Sequence, residues 1–267
     1  MRQLTLHNEK GDIYVFDTHT LIVSMEGLGV VRDNVYLTYG MKYKKLEGRA
    51  VVGRIGLDIV FLNGYQGYNA FINYINKSKK LKLYYKAVDE KYCYVEFTEI
   101  TKGQLSFKSL RCSLRLDKLT HWLRRIDLDF PIEGSQTEKR FPHPYPFTYA
   151  APSGGNLTVI NNGHFPAETI ITISGYFNIP ELRVFVGDEI NQTLRILTPN
   201  TTGNLIVSSI STDSKVTLND EDIYQLQDFT CTNFITLPVG ESRLIFNSGV
   251  RSGCELSITY FEEYEGN

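Results

Sequence analysis

The second half of the chain consists of short apolar–polar alternations separated by Asn, Gly and Pro, a pattern that permits few folds. Turn signals such as Asn162-Gly163, Gly187-Asp188 and Asn219-Asp220 divide it into strands. About nine short strands in roughly 120 residues are typical of a β-sandwich or jelly roll. The strands are expected at residues 157–160, 169–174, 182–186, 193–197, 204–208, 215–218, 233–237, 243–247 and 255–261.

The first half combines strands with a helix. Four apolar residues recur at the spacing i, i+3, i+4 and i+7, namely Tyr68, Phe71, Ile72 and Ile75. That spacing predicts one face of a helix, and a helix this short needs a sheet to pack on. Strands are expected at residues 12–16, 35–39, 54–62, 81–85, 91–97 and 110–117. This order predicts an α+β domain with a predominantly antiparallel sheet.

A proline-rich segment separates the two halves. Five of the nine prolines lie between Pro131 and Pro152, together with the polar run from Gly134 to Arg140. Proline cannot continue a sheet ladder, and polar Gly/Ser stretches resist burial. We therefore predict a first domain at residues 1–135, a linker at 136–150 and a second domain at 151–267.

Composition excludes several classes of function. The net charge is −2, whereas a nucleic-acid-binding protein normally carries a basic excess, so we expect no sequence-specific nucleic-acid binding. No secretory leader is visible, and no apolar run reaches the roughly 18 residues that span a bilayer, so no membrane is expected as a partner. The scattered cysteines are expected to be reduced and mostly buried, namely Cys93, Cys112, Cys231 and Cys254.

The sequence offers little chemistry for catalysis. No nucleophile elbow or phosphate-binding loop is present, and the five histidines are too widely separated to suggest a metal site. The acidic runs Asp220-Glu221-Asp222 and Glu262-Glu263 with Glu265 are expected to be solvated surface and not a glycosidase pair. We therefore predict no enzyme and no catalytic, cofactor-binding or metal-binding residues.

A basic cluster surrounds the single tryptophan, Trp122, and consists of Arg111, Arg115, Lys118, His121, Arg124 and Arg125. We expect these residues to form the outer face and exit of a strand, with Trp122 covering the core. Phosphate or an acidic partner is an alternative ligand for the cluster. In a ring-shaped assembly, the same residues would be candidates for a charged subunit contact.

Taken in order, the motifs of both halves resemble those of the distal tail proteins (Dit) of siphophages and related prophages. In the first half they are the helix at 68–75, the strands after it and Trp122. In the second half they are Tyr145-Pro-Phe147, Asn161-Asn-Gly163, Pro166, Asn178-Ile-Pro180, Leu218-Asn219, Leu237-Pro-Val-Gly240 and the strand at 255–260. The resemblance covers nearly the whole chain.

The resemblance implies a mainly β protein with an N-terminal sandwich or split-barrel domain and a C-terminal galectin-like sandwich. It implies a hexameric ring that joins the tail tube protein to the tail-tip hub or tail-associated protein. Tape-measure and receptor-binding proteins are further possible partners. The protein would be assembled in the bacterial cytoplasm, reside in the virion, and let DNA pass through the ring without binding it.

Two other classes remain open at this stage. The first is a carbohydrate-binding module that contacts host-surface glycans directly. Such sites stack a sugar on an exposed Trp or Tyr beside planar polar groups, but we expect core packing to account for Tyr176, Tyr224 and Tyr260. The second is an enzyme accessory to cell-wall hydrolysis.

Overall fold

Burial along the strands follows the alternating sequence pattern in a computed structural model that describes residues 3–17, 19–130, 154–250 and 253–266. The described chain divides into two units. The first unit comprises Met1–Arg124 and Glu263–Asn267, and the second comprises Arg125–Glu262. The predicted linker at 136–150 lies outside the described residues.

The first unit contains most of the helical structure and a long antiparallel sheet. Its elements are β1 (Gln3–Asn8), β2 (Ile13–Val15), β3 (Thr20–Glu26), β4 (Arg32–Tyr39), β5 (Lys42–Ala50), β6 (Arg54–Phe61), α1 (Tyr65–Lys77), β7 (Leu81–Lys86), β8 (Glu90–Ser106) and β9 (Ser109–Lys118). Strand β10 (Trp122–Phe130) begins in this unit and ends in the second. The sequence pattern had not predicted β1, β3, β5 or β10.

The sheet of the first unit has the strand order β2-β1-β7-β8-β9-β6-β3. Strand β8 joins its two parts, because its residues up to Val95 pair with β7 and those from Val95 onward pair with β9. The outermost strands, β2 and β3, do not pair with each other, so the described part of the sheet is not a closed barrel. Both edges therefore keep backbone groups that can accept another strand.

Helix α1 packs on the core of the first unit with the predicted face. Phe71 and Ile75 are buried, and Tyr68 and Ile72 pack against the same core. Trp122 is fully buried in this core and donates from Nε1 to the carbonyl oxygen of Leu28 at 3.2 Å. The predictions of a sheet-packed helix and of a core tryptophan are confirmed.

The second unit is a β-sandwich. Its elements are β11 (Gly154–Asn161), β12 (Ala167–Phe177), β13 (Glu181–Val186), β14 (Glu189–Arg195), β15 (Thr201–Ser208), β16 (Lys215–Leu218), β17 (Glu221–Asp222), a 3-10 turn (Tyr224–Leu226), β18 (Thr236–Leu237), β19 (Gly240–Asn247) and β20 (Cys254–Tyr264). Strand β20 ends in the first unit.

Two antiparallel sheets enclose the core of this sandwich. One has the order β17-β16-β15-β12-β20, and the other has the order β11-β19-β13-β14. Alternate residues of β12, such as Ile171 and Ile173, are buried with Leu182 and Leu244 from the opposite sheet. The mainly β fold with antiparallel sheets is confirmed, and the galectin-like assignment of this unit remains a prediction.

Candidate assembly surfaces

An exposed β-hairpin is the most unusual surface of the first unit. Strands β4 and β5 pair only with each other among the described residues and form a two-stranded sheet of their own. An isolated hairpin is marginally stable in water because it has no core to bury its side chains. Its exposed apolar side chains are Val35, Tyr36, Leu37, Tyr39, Met41, Tyr43 and Leu46. This surface therefore has the composition of a contact and not of a solvated strand.

The base of the hairpin is fixed to the rest of the first unit. Arg32 forms an ion pair with Glu265 at 2.7 Å, and a hydrogen bond from the amide of Val51 to the carbonyl oxygen of Val31 at 3.1 Å closes the hairpin just beyond its paired strands. The hairpin therefore has an anchored base and an exposed distal part.

An apolar groove of about 790 Å³ lies elsewhere on the first unit, between its two open sheet edges. Its lining comes mainly from β3, together with Val15 of β2 and residues of β1 and β7, and β2 and β3 are the strands with unfilled edges. The lining includes Val15, Leu21, Val23, Met25 and Leu28. A groove with apolar walls and available backbone groups can accept an extended apolar segment.

The predicted basic cluster is only partly on the surface. Arg111 and Arg115 are exposed on β9, and Arg111 forms an ion pair with Asp58 at 3.3 Å. The prediction is wrong for Lys118, which is buried with its Nζ 5.4 Å from the centre of the Trp122 ring. Burial lowers the pKa of Lys118. Lys118 continues the buried series of Leu110, Cys112, Leu114 and Leu116 on β9, so only its charge suggested an exposed position.

Arg124 and Arg125 belong to different units. Arg124 lies 3.4 Å from Asp89 in the first unit, and Arg125 lies 2.9 Å from Asp127 in the second. His121 adjoins Trp122, and burial lowers its pKa. Arg111, Arg124 and Arg125 are thus each ion-paired with an aspartate, as is common on the surface of a sheet, and a phosphate or an acidic partner remains an untested alternative for the cluster.

The acidic runs differ from each other. Glu221 and Asp222 are exposed, and Asp222 Oδ1 accepts from the amide of Tyr224 at 2.9 Å, as expected of a solvated turn. The prediction is wrong for Glu262, whose exposed fraction is only 1%. Its carboxylate is held by hydrogen bonds from Asn162, and it belongs to the packing of the second unit.

The described residues contain no group of three or more His, Cys, Asp or Glu side chains that could hold a metal ion. His7 is paired with Thr5 and lies against Tyr84, with ring centres 4.2 Å apart, and burial lowers its pKa. His143 lies outside the described residues. Within the described part of the chain, no helix combines the length and hydropathy needed to cross a membrane.

The tyrosines of the second unit do not all pack in its core. Tyr260 is buried, as predicted, but Tyr176 and Tyr224 are exposed, so the core interpretation is wrong for those two. Tyr224 lies in the 3-10 turn, where strand alternation does not govern the direction of the side chain. Its neighbour Phe229 is also exposed, with ring centres 5.8 Å apart.

The architecture of the chain matches solved structures over nearly its full length. A chain of the phage P2 baseplate, in its activated conformation with Ca, aligns with a TM-score of 0.61 and 14% identity over 97% of this chain and 98% of that one. The Dit (gp 19.1) protein of SPP1, described as a paradigm of the hub adsorption apparatus in phages that infect Gram-positive bacteria, gives 0.66 and 12% over the same shares. A comparison with curated protein sequences finds no match.

These structural similarities place the chain in the class of proteins that share the fold of phage baseplate components. Residues 3–119 match the family model of the distal tail protein N-terminal domain, which spans the sheet, the helix and the hairpin of the first unit. The chain carries the N-terminal domain of a distal tail protein at residues 3–119, which confirms the resemblance that its motifs indicated. It is a structural component of the phage tail and is located in the virion.

Proposed function

We propose that the protein forms a hexameric ring that joins the tail tube to the tail tip or baseplate and provides docking sites for host-adhesion components. The hairpin β4–β5 carries the proposal, because its apolar side chains have no core of their own. A contact with a neighbouring subunit would remove these side chains from water. The neighbour would thereby stabilise a hairpin that is marginal alone.

The groove between β2 and β3 supports a head-to-tail arrangement. The exposed hairpin and the groove are different surfaces of the same unit, so a hairpin of one copy can fill the groove of the next. Contacts between two different surfaces generate a ring when the rotation closes. A closed ring would cover the open edges of every copy and prevent further chain addition.

The partners follow from this position in the tail. The tail tube protein would contact one side of the ring, and the tail-tip hub or tail-associated protein the other. Tape-measure and receptor-binding proteins are additional candidates. We expect no enzymatic activity. The adaptor would act through repeated interfaces, whose combined affinity exceeds that of any single interface.

The mass of the particle in solution tests the ring. Six copies of the 30.5 kDa chain weigh about 183 kDa, which light scattering after size exclusion separates from the monomer. Replacing both Tyr39 and Tyr43 by Lys places charges on the exposed hairpin and is expected to give monomers.

A matched control is Tyr65→Lys, which changes an exposed tyrosine of the same unit at the start of α1 and should leave the ring intact. A wild-type protein that remains monomeric at all concentrations, alone and with tail tube protein, would contradict the ring. Rings that persist in the hairpin variant would contradict the assigned interface while leaving the adaptor function in place.

A further inference from the structure

The 3-10 turn of the second unit and the loop that follows it present two exposed aromatic rings. Tyr224 is 51% exposed and Phe229 is 66% exposed. Their rings are tilted by 54°, with centres 5.8 Å apart. Tyr224 also stacks on Phe234 at 26° and 6.3 Å, and Phe234 packs against the core of the sandwich. Phe234 therefore connects the exposed ring of Tyr224 to the core of the sandwich.

Charged planar groups adjoin the backbone of this loop. Asp228, which directly precedes Phe229, accepts a hydrogen bond from Arg195 Nη1 at 3.1 Å. Glu181 accepts from Nε of the same guanidinium at 2.7 Å and also forms an ion pair with Arg183. Ion pairs thus link two carboxylates and two guanidinium groups, and Asp228 connects them to the loop that carries Phe229. Oriented groups of both kinds can donate to and accept from hydroxyl groups.

The loop is fixed before any ligand arrives. Asn233 is buried, accepts from the amide of Arg195 at 3.1 Å and donates to the carbonyl oxygen of Asp228 at 2.6 Å. The backbone of the loop also pairs with β14, since the amide of Asp228 donates to the carbonyl oxygen of Arg195 at 3.0 Å. Because these bonds already order the loop, binding would not incur that entropic cost.

The carboxylate of Asp228 also keeps its charge. Hydrogen bonds from the hydroxyl and the amide of Thr230 hold its pKa below the ordinary value, and Arg195 contributes in the same direction. An ionised carboxylate is an acceptor only, and it complements the donors of the guanidinium group.

We propose that Tyr224, Phe229, Asp228 and Arg195 form a glycan-binding site. The apolar face of a sugar ring would stack on an aromatic side chain, and its hydroxyl groups would bond to Asp228 and Arg195. The combination of aromatic rings with an oriented ion pair fits a polyhydroxylated ligand better than a purely apolar partner. The site is additional to the adaptor role and does not depend on the ring.

A glycan microarray probed with the full-length protein identifies the sugar. Saturation-transfer NMR with the selected oligosaccharide then measures its contact with the protein. Tyr224→Ala and Phe229→Ala are each expected to weaken binding by about tenfold. Both residues are exposed, so the variants should fold, and thermal unfolding checks this. Asp228→Asn should weaken binding as well, by removing the charge from the acceptor.

The matched control is Tyr176→Ala, which removes another exposed tyrosine of the second unit and should bind like the wild type. An array without any bound glycan would overturn the proposal. So would a glycan whose affinity is the same for Tyr224→Ala and the wild type. If Tyr224→Ala instead abolished only the binding of a tail protein, the surface would be a protein contact and the glycan site would be rejected.

Discussion

The side chain of Glu262 accepts two hydrogen bonds from Asn162, which stands 100 residues earlier in the chain. Its Oε1 lies 2.9 Å from the backbone nitrogen and 3.1 Å from Nδ2 of Asn162. The preceding residue, Asn161, donates to the carbonyl oxygens of Phe165 and Leu237 at 2.9 and 3.0 Å. The Asn-Asn-Gly turn thus connects the end of β11 with β18 and β20.

Replacing Glu262 by Ala should destabilise the protein by about 1–3 kcal/mol, because the backbone amide and Nδ2 of Asn162 lose the buried carboxylate that accepts their hydrogen bonds. The free energy of unfolding, measured in urea, tests this expectation. Glu241→Ala is the control, since Glu241 is exposed and its removal should change the free energy by less than about 0.5 kcal/mol. Equal effects of the two substitutions would show that the buried contact contributes little.

Tyr74→Phe should reduce stability by about 1 kcal/mol, because the Tyr74 hydroxyl donates to the carbonyl oxygen of Leu6 at 2.8 Å. Burial raises the pKa of Tyr74 to about 12 from the ordinary value of 10.0. Between these values the unfolded chain loses the phenol proton and the folded chain keeps it, so stability falls as pH rises.

The stability of Tyr74→Phe should therefore depend less on pH than that of the wild type between pH 10 and about 12. Urea unfolding of both proteins across this range measures the difference. Parallel curves would contradict the assigned shift of Tyr74.

All four cysteines are free, and three are buried, in agreement with the sequence prediction. Burial raises the pKa of Cys93 to about 12 and that of Cys254 to about 11, and it also raises the pKa of Cys112. At about pH 8 an alkylating reagent should label only the half-buried Cys231 in the folded protein, because the thiolate is the nucleophile. Mass spectrometry counts the attached labels, and Cys231→Ser should abolish the label that attaches to the folded protein.

Gly175→Ala should destabilise the protein by more than about 2 kcal/mol, since a Cβ would clash with the backbone and φ is +97°. The added atom would lie 2.0 Å from the carbonyl oxygen of Gly253. Gly187→Ala is the matched control, with φ of +61° and no atom within 4 Å, and should cost about 1 kcal/mol. Thermal unfolding of both variants tests whether close approach, and not positive φ alone, requires glycine at 175.

Periodicity predicted strand β9, which buries one face, and failed for strand β5, whose sequence has no apolar period. Strand β9 alternates buried and exposed residues, and its predicted range of 110–117 lies within the observed Ser109–Lys118. Strand β5 contains the charged residues Lys42, Lys44, Lys45 and Glu47, and it is a strand because β4 pairs with it. Pairing between neighbouring strands leaves no hydrophobic period in the sequence.

The errors at candidate functional residues came from relying on the charge or aromatic character of a residue instead of its position in the strand. Lys118 and Glu262 are charged and were expected on the surface, yet each continues the buried alternation of its strand. Tyr224 was expected in the core because aromatic residues favour strands, but it lies in a 3-10 turn. The ion pair of Arg195 with Asp228 joins residues that are distant in sequence, so no local motif indicated it.

The first unit takes its final residues, Glu263–Asn267, from the chain beyond the second unit. Arg32 therefore finds its partner Glu265 only after 233 further residues have been synthesised. During translation the second unit can complete its sandwich first, while the earlier-made unit still lacks a strand end. The ion pair at the base of the hairpin therefore forms only when the last residues of the first unit have been synthesised.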